Sequence, residues 1–183
     1  ADIIQSYDDS LIVVVSAIDK TTNALEEVWN KFLLREEQEL DRSIQEVIKF
    51  HLDIIRELNL NSDDKFMLKI NESFQKLKNH TKRDPSANVA YEYDQIVSFG
   101  ELWSTMIFSG YLDLININNK WLDARKLIRT SNHYQEARVD WEKTLQLIQI
   151  ELNKSTSKEL GSRKIYITQG FIGHTDTGMT TTL

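Results

Sequence analysis

The stretch Leu11-Ile12-Val13-Val14-Val15-Ser16-Ala17-Ile18-Asp19-Lys20-Thr21-Thr22-Asn23 decides the fold. Its first five residues are all apolar and mostly β-branched, and they lie between the polar Asp8-Asp9-Ser10 and Ser16. A continuous apolar run of this length predicts a strand buried on both faces, as in a parallel sheet. The polar turn from Ala17 to Asn23 then leads into Leu25, Val28, Trp29 and Phe32 at helical spacing. Asn23, with Glu26 three residues on, is the expected N-cap. The unit is therefore strand, loop, helix N-terminus.

Outward from this unit the pattern turns helical. Leu40, Ile44, Val47, Ile48, His51, Leu52, Ile55 and Leu58 form one apolar stripe, and Phe66, Ile70, Phe74 and Leu77 a second. Asn59 to Asp64 separates them, with Ser62 as the expected cap. The segment 35–81 is thus expected to be a helical insertion, a hairpin that packs on the rest, with a docking surface as the alternative. The only proline, Pro85, marks a loop, and a helix is expected from about Tyr91 to Tyr111. Trp121 to Ala124 has no clear type. Val139 to Asn153 is amphipathic, with Trp141, Leu145, Ile148 and Leu152 on one face, and Lys164 to Thr168 reads as a strand ending in the loop Gln169 to Gly173. Strand, helices, then strand implies an α/β fold, a parallel sheet carrying a helical insertion.

Composition bounds the function. The chain has 183 residues, 40% of them hydrophobic, a formal charge of −6 and a pI near 5.3. A negative chain argues against nucleic acid as a partner, because phosphate binding needs an excess of Lys and Arg. There is no cysteine, so neither a disulfide scaffold nor a thiolate metal site is available. No run of about 18 apolar residues occurs, so no membrane span is expected. No basic stretch precedes an apolar one, so no signal peptide is expected, and a cytoplasmic location is compatible. Ala1 to Ile4 reads as the last turn of a helix and Thr180 to Leu183 as an unfinished strand, so both ends look cut.

Three stretches hold candidate chemistry. The loop Ser16 to Asn23 sits at the carboxyl end of a strand, where open α/β sheets bind ligands. A helix N-terminus there suits a carboxylate or phosphate, and Ser16, Lys20, Thr21 and Thr22 add donors. The alternative is that Thr22 and Asn23 only cap the helix. Glu101 follows Gly100 in an otherwise apolar helix and suits a ligand ammonium, with an exposed helical glutamate as the alternative. Gly170 and Gly173 at a strand end allow close backbone approach to a ligand, with a tight turn as the alternative. His51, His80, His133 and His174 show no metal-ligand spacing, so no metal site is expected. Arg125, Lys126 and Arg129 read as a solvated basic face.

Together these stretches resemble aspartokinase, of the amino-acid kinase family. Val14-Val15-Ser16-Ala17 followed by Thr22-Asn23 is similar to that family's V-V-S-A…T-N signature. Phe99-Gly100-Glu101-Leu102-Trp103-Ser104 is similar to its G-E-x-x-S helix, and Thr168-Gln169-Gly170-Phe171-Ile172-Gly173 with Thr180-Thr181-Thr182-Leu183 to its T-Q-G-F-I-G and T-T-T-L segments. Trp121-Leu122-Asp123-Ala124-Arg125 fits its middle. The order of the motifs matches, from near one end of the chain to the other. Asp19 departs from the pattern, where the family often has a small residue.

The resemblance implies an amino-acid-kinase-like fold over residues 1–183, incomplete in this chain. It implies ATP and Mg as cofactors, L-aspartate as substrate and a homo-oligomer. Thr22 would bind an aspartate carboxylate, with Ser16 beside the reacting end and Thr21 nearby. Glu101 would bind the α-ammonium, and Phe171 and the Gly170 backbone would line the pocket. The resemblance also puts the phosphate-binding lysine before Ala1 and the catalytic Arg and Asp after Leu183, so no catalytic group is expected within the chain. The 183 residues alone are expected to be inactive. The competing reading is a non-catalytic amino-acid-binding or interaction module of the same fold.

Overall fold

The computed structural model of the protein describes residues 1–154 and 163–183. A short helix α1 (Asp2–Gln5) leads to strand β1 (Leu11–Val15), then to helices α2 (Thr21–Leu34), α3 (Glu37–Glu57), α4 (Asp64–His80) and α5 (Val89–Leu114). Strand β2 (Lys120–Trp121), helix α6 (Trp141–Lys154) and strands β3 (Ile165–Gln169), β4 (Ile172–His174) and β5 (Thr180–Thr182) complete the order. β3 is the middle of a parallel sheet ordered β1-β3-β2, and Val15 pairs with Gln169 at its carboxyl end. β4 and β5 form a separate antiparallel pair. The expected α/β fold with a parallel sheet and a helical hairpin is what forms.

α5 organises the whole. It is apolar almost all round, as a helix enclosed by neighbours must be. Ile96, Leu102, Trp103 and Ile107 are buried against Leu25, Val28 and Phe32 of α2 and against the hairpin α3–α4. The hairpin turns its two stripes inward: Leu40, Ile44, Val47 and Ile55 on α3 and Phe66, Ile70, Phe74 and Leu77 on α4 are buried. Trp103 is held edge-on by Phe74 and His51, and its Nε1–H donates to Ser73 Oγ at 2.9 Å. That bond satisfies the one polar atom of a fully enclosed indole.

The loop between α4 and α5 is locked by a buried carboxylate. Glu92 is wholly inaccessible, and both of its oxygens are engaged. Arg83 approaches at 2.9 and 2.6 Å, the Ser86 N–H at 2.7 Å and His80 Nε2 at 2.8 Å. Burial alone raises a carboxyl pKa, but these donors outweigh it and hold Glu92 at about 2.

Several expectations need correction. β1 is not buried on both faces: Ile12 and Val14 are 62% and 60% exposed. Their face opens on an apolar groove shared with Leu122, Leu127 and Ile148, because among the described residues no layer covers it. α6 likewise leaves Trp141 and Leu145 exposed, although Ile148 and Leu152 pack against Tyr166. α2 starts at Thr21 with Lys20 at the N-cap, so Asn23 lies within the first turn and caps nothing. Asp63 rather than Ser62 caps α4, accepting from the Lys65 and Phe66 amides at 2.9 and 3.1 Å. Of the basic run only Lys126 is exposed, as expected. Arg125 forms a two-pronged pair with Asp123, and Arg129 bonds the Thr175 carbonyl and Asp176, so both brace turns.

Candidate functional site

The carboxyl ends of β1 and β3 open into a cleft of about 710 Å³. Its walls include Ser16, Ala17, Asp19 and Thr22 from the β1–α2 unit, Glu101 from α5, and Phe171 between β3 and β4. Sequence motifs 150 residues apart thus meet because β1 and β3 are parallel neighbours in register. Four predicted site residues, Ser16, Thr22, Glu101 and Phe171, line one cavity.

Gly100 explains how α5 comes so close to the β1–α2 loop. A Cβ at this position would meet Thr21 Cγ2 at 3.1 Å, Ala17 Cβ at 3.2 Å and Leu25 Cδ1 at 3.3 Å. Only a residue without a side chain fits without displacing these neighbours. The next residue then meets the loop directly. Glu101 Oε1 accepts the Ala17 N–H at 3.1 Å, and one turn later Ser104 Oγ donates to the Ser16 carbonyl at 2.6 Å. The G-E-x-x-S spacing is therefore a stitch that holds the loop's backbone on α5.

Glu101 is only half satisfied. Its second oxygen, Oε2, is buried and has no hydrogen-bond partner. Burial raises its pKa, and the backbone N–H groups of Ala17 and Gly170 pull the other way. A buried carboxylate oxygen without a donor is costly unless a ligand supplies one. Thr22 sits in the first turn of α2, where no side chain caps the helix. Free N–H groups and the helix dipole make that turn attractive to an anion. The cleft thus offers an acceptor for a cation beside a donor set for an anion.

The remaining predicted residues behave differently. Thr21 is buried and faces Gly100, and its hydroxyl has no partner; it spaces α2 from α5 and does not line the cleft. Gly170 does not line the cleft either, and a Cβ there would meet only Val14 at 3.4 Å. The left-handed residue of this loop is Phe171, with φ +56° and 67% exposure at the cleft edge. Gly173 serves the protein's own packing: a Cβ there would lie 2.7 Å from the Ile128 carbonyl. Asp19 is exposed, with φ +47°, at the rim of the cleft.

Sequence reading missed the supports of the site. Thr105 Oγ1 receives Gln169 Nε2 at 2.6 Å and Trp121 Nε1 at 2.9 Å, while Gln169 Oε1 accepts the Ala124 amide at 2.7 Å. This hub ties α5 to the carboxyl ends of β2 and β3 and to the turn at Ala124. Its members look like ordinary helix or strand residues in isolation, so no local signal marks them.

A sequence model of the amino acid kinase family matches residues 1–182. The chain belongs to the amino acid kinase family. Lysine-sensitive aspartokinase 3 of Escherichia coli (strain K12) is 37% identical over 90 residues, 49% of this chain and 19% of that protein. Aspartokinase 1, chloroplastic, of Arabidopsis thaliana is 31% identical over 68% of this chain and 22% of its own length. The crystal structure of E. coli aspartokinase III in complex with aspartate and ADP superposes over 100% of this chain with a TM-score of 0.84 and 27% identity. This amino acid kinase chain spans 38% of that crystallised chain and about a fifth of the two curated relatives. The resemblance read from the motifs holds, and so does the fold it implied.

Proposed function

We propose that this chain is the substrate-binding part of an aspartate kinase, which transfers the γ-phosphoryl group of MgATP to the β-carboxylate of L-aspartate to give 4-phospho-L-aspartate. That is the first step of lysine, threonine and methionine biosynthesis. In this reading residues 1–183 are part of a kinase domain and 35–81 a helical insertion within it, and the whole enzyme is a cytoplasmic homo-oligomer.

The observation that carries the reading is Glu101 Oε2, buried and without a partner at the edge of a cleft whose other wall is a helix N-terminus. An α-amino acid carries one ammonium and, for aspartate, two carboxylates. Glu101 takes the ammonium. Thr22 and the first turn of α2 take a carboxylate, Ser16 stands beside the reacting end, and Phe171 closes the edge.

The nucleophile is a carboxylate already ionised at neutral pH, so the reaction needs no general base. Two anions must nevertheless meet, and positioning and charge neutralisation carry the catalysis. The charged side chains lining the cleft are Asp19, Glu101 and Glu136, all acidic. They suit the ammonium and do nothing for phosphate. No three His, Cys, Asp or Glu side chains among the described residues could hold a metal ion.

The test is calorimetric titration of L-aspartate, L-glutamate and N-acetyl-L-aspartate into the polypeptide as its gene encodes it. ATP-dependent aspartyl hydroxamate formation is measured in parallel. Aspartate binds and turns over, N-acetyl-aspartate does not bind, and the 183-residue chain alone forms no hydroxamate. Binding of another acidic amino acid in preference to aspartate would reassign the substrate within the same fold.

A further inference from the structure

Seven residues before Glu101, on the same face of α5, stands a second carboxylate that the proposed reaction does not use. Asp94 is wholly inaccessible and does not line the cleft. A buried carboxylate without a cation is expensive, and it persists where several donors converge on it. Here they do. Asp94 Oδ1 accepts the Thr182 hydroxyl at 2.7 Å, and Oδ2 accepts the Thr182 amide at 2.9 Å. The Gln135 amide points between both oxygens at 3.2 and 3.1 Å. Burial raises the Asp94 pKa, and the Thr182 and Gln135 donors oppose it.

Both of its partners belong to the cleft. Gln135, Glu136, Thr182 and Leu183 all line it. Gln135 has φ +69°, a left-handed conformation that costs a non-glycine residue about 1 kcal/mol or more. Such a conformation persists only where surrounding contacts impose it, and the bond to Asp94 is one that does. The neighbouring Gln95 extends the clamp. Its Nε2 donates to the Thr180 carbonyl at 2.7 Å and its Oε1 accepts the Thr180 amide at 3.3 Å, so an amide side chain pairs with the free edge of β5 as a strand would.

One helix therefore holds two walls of one cleft. At Glu101 and Ser104 it grips the β1–α2 loop, and at Asp94 and Gln95 it grips β5 and the turn at Gln135. Seven residues of helix set these grips about 10 Å apart along α5. We infer that Asp94 is a positioning residue of the aspartate site, fixing the Gln135 and Thr182 wall at the distance from Glu101 that the substrate requires. This inference rests on the aspartate kinase reading.

The test is Asp94→Asn in the enzyme as its gene encodes it. The amide keeps the shape but turns an NH₂ donor toward the Thr182 or Gln135 N–H, so one wall is released. KM for L-aspartate is expected to rise about tenfold, or about 1.4 kcal/mol, while KM for ATP stays within twofold. A merely structural role would move both constants together, or neither. Thr182→Val, which deletes one hydroxyl donor and keeps the branched shape and the backbone amide, is the second variant and should raise the aspartate KM about threefold. An aspartate KM within twofold of wild type in the folded variants, or a parallel rise in both KM values, overturns the inference alone. A wild-type enzyme that does not turn over aspartate overturns both it and the function it rests on.

Discussion

Replacing Glu101 by glutamine separates binding from folding at this site. In the wild-type protein Oε1 accepts the Ala17 amide and Oε2 has no partner. Glutamine can keep the first contact, because its carbonyl oxygen takes the place of Oε1. Its NH₂ group then occupies the place of Oε2 and turns two donors toward a ligand ammonium. The bare Coulomb attraction of an ammonium and a carboxylate about 3 Å apart is about 5 kcal/mol at an effective dielectric of about 20, and desolvation of both ions removes much of it. Hydrogen bonds to charged groups are worth about 1.5–3 kcal/mol net. A loss of about 2–3 kcal/mol corresponds to aspartate binding weakened about 30- to 150-fold.

The same substitution should not harm the fold. Burial raises the Glu101 pKa. With the folded pKa above the unfolded one, the folded state holds its proton longer. Stability therefore falls as pH rises from the ordinary carboxylate value through the raised one, and stays lower above it. Glutamine removes that pH-linked cost. At pH 7 the unliganded variant should unfold at the same temperature as wild type or higher, and the two should converge below about pH 4. Calorimetric titration gives the affinity, and thermal unfolding without ligand at pH 4 and pH 7 gives the stability. Binding within threefold of wild type would refute the ammonium role. Weakened binding accompanied by a large fall in unfolding temperature at pH 7 would show that Glu101 is a structural residue.

Glu92→Gln should cost about 2–4 kcal/mol in urea unfolding at pH 7, because it removes the charge that Arg83 pairs with and turns an NH₂ group toward donors that one carboxylate oxygen had accepted. The Glu92 pKa is depressed to about 2, so its stabilisation is full above the ordinary carboxylate value and is lost as pH falls toward 2. The difference between variant and wild type should shrink over that window. Gly173→Ala would place a methyl 2.6 Å from Thr130 Cγ2 and 2.7 Å from the Ile128 carbonyl. A loss of about 1–3 kcal/mol is expected from such overpacking, and a melting temperature equal to wild type would show that the two segments can part freely.

The Leu11–Val15 run was enough to place a parallel strand, and the two stripes of 40–58 and 66–77 enough to place a helical hairpin. In each case the periodicity of apolar residues is a local property of the chain. The motifs around Thr22, Glu101 and Phe171 were also legible, because an unusual residue pair such as Gly100-Glu101 stands out against a helix. Cap positions were read less well. Asn23 and Ser62 are good capping residues in isolation, yet the caps fell at Lys20 and Asp63. Neighbouring side chains compete for the same amides, and the chain's path through the loop settles which one wins.

The sequence by itself determined the main helices and parallel strands, the family and four residues of the cleft, since each rests on residue identity and spacing along the chain. Only the tertiary structure decided which faces are covered, which groups are satisfied and what holds the cleft open. Ile12 and Val14 read as core but lie exposed, because burial depends on what packs against a face. Asp94 reads as an ordinary helical carboxylate but anchors two walls, because its partners Gln135 and Thr182 lie 41 and 88 residues away. Hydrogen bonds across such separations follow from chain topology, which no local pattern encodes.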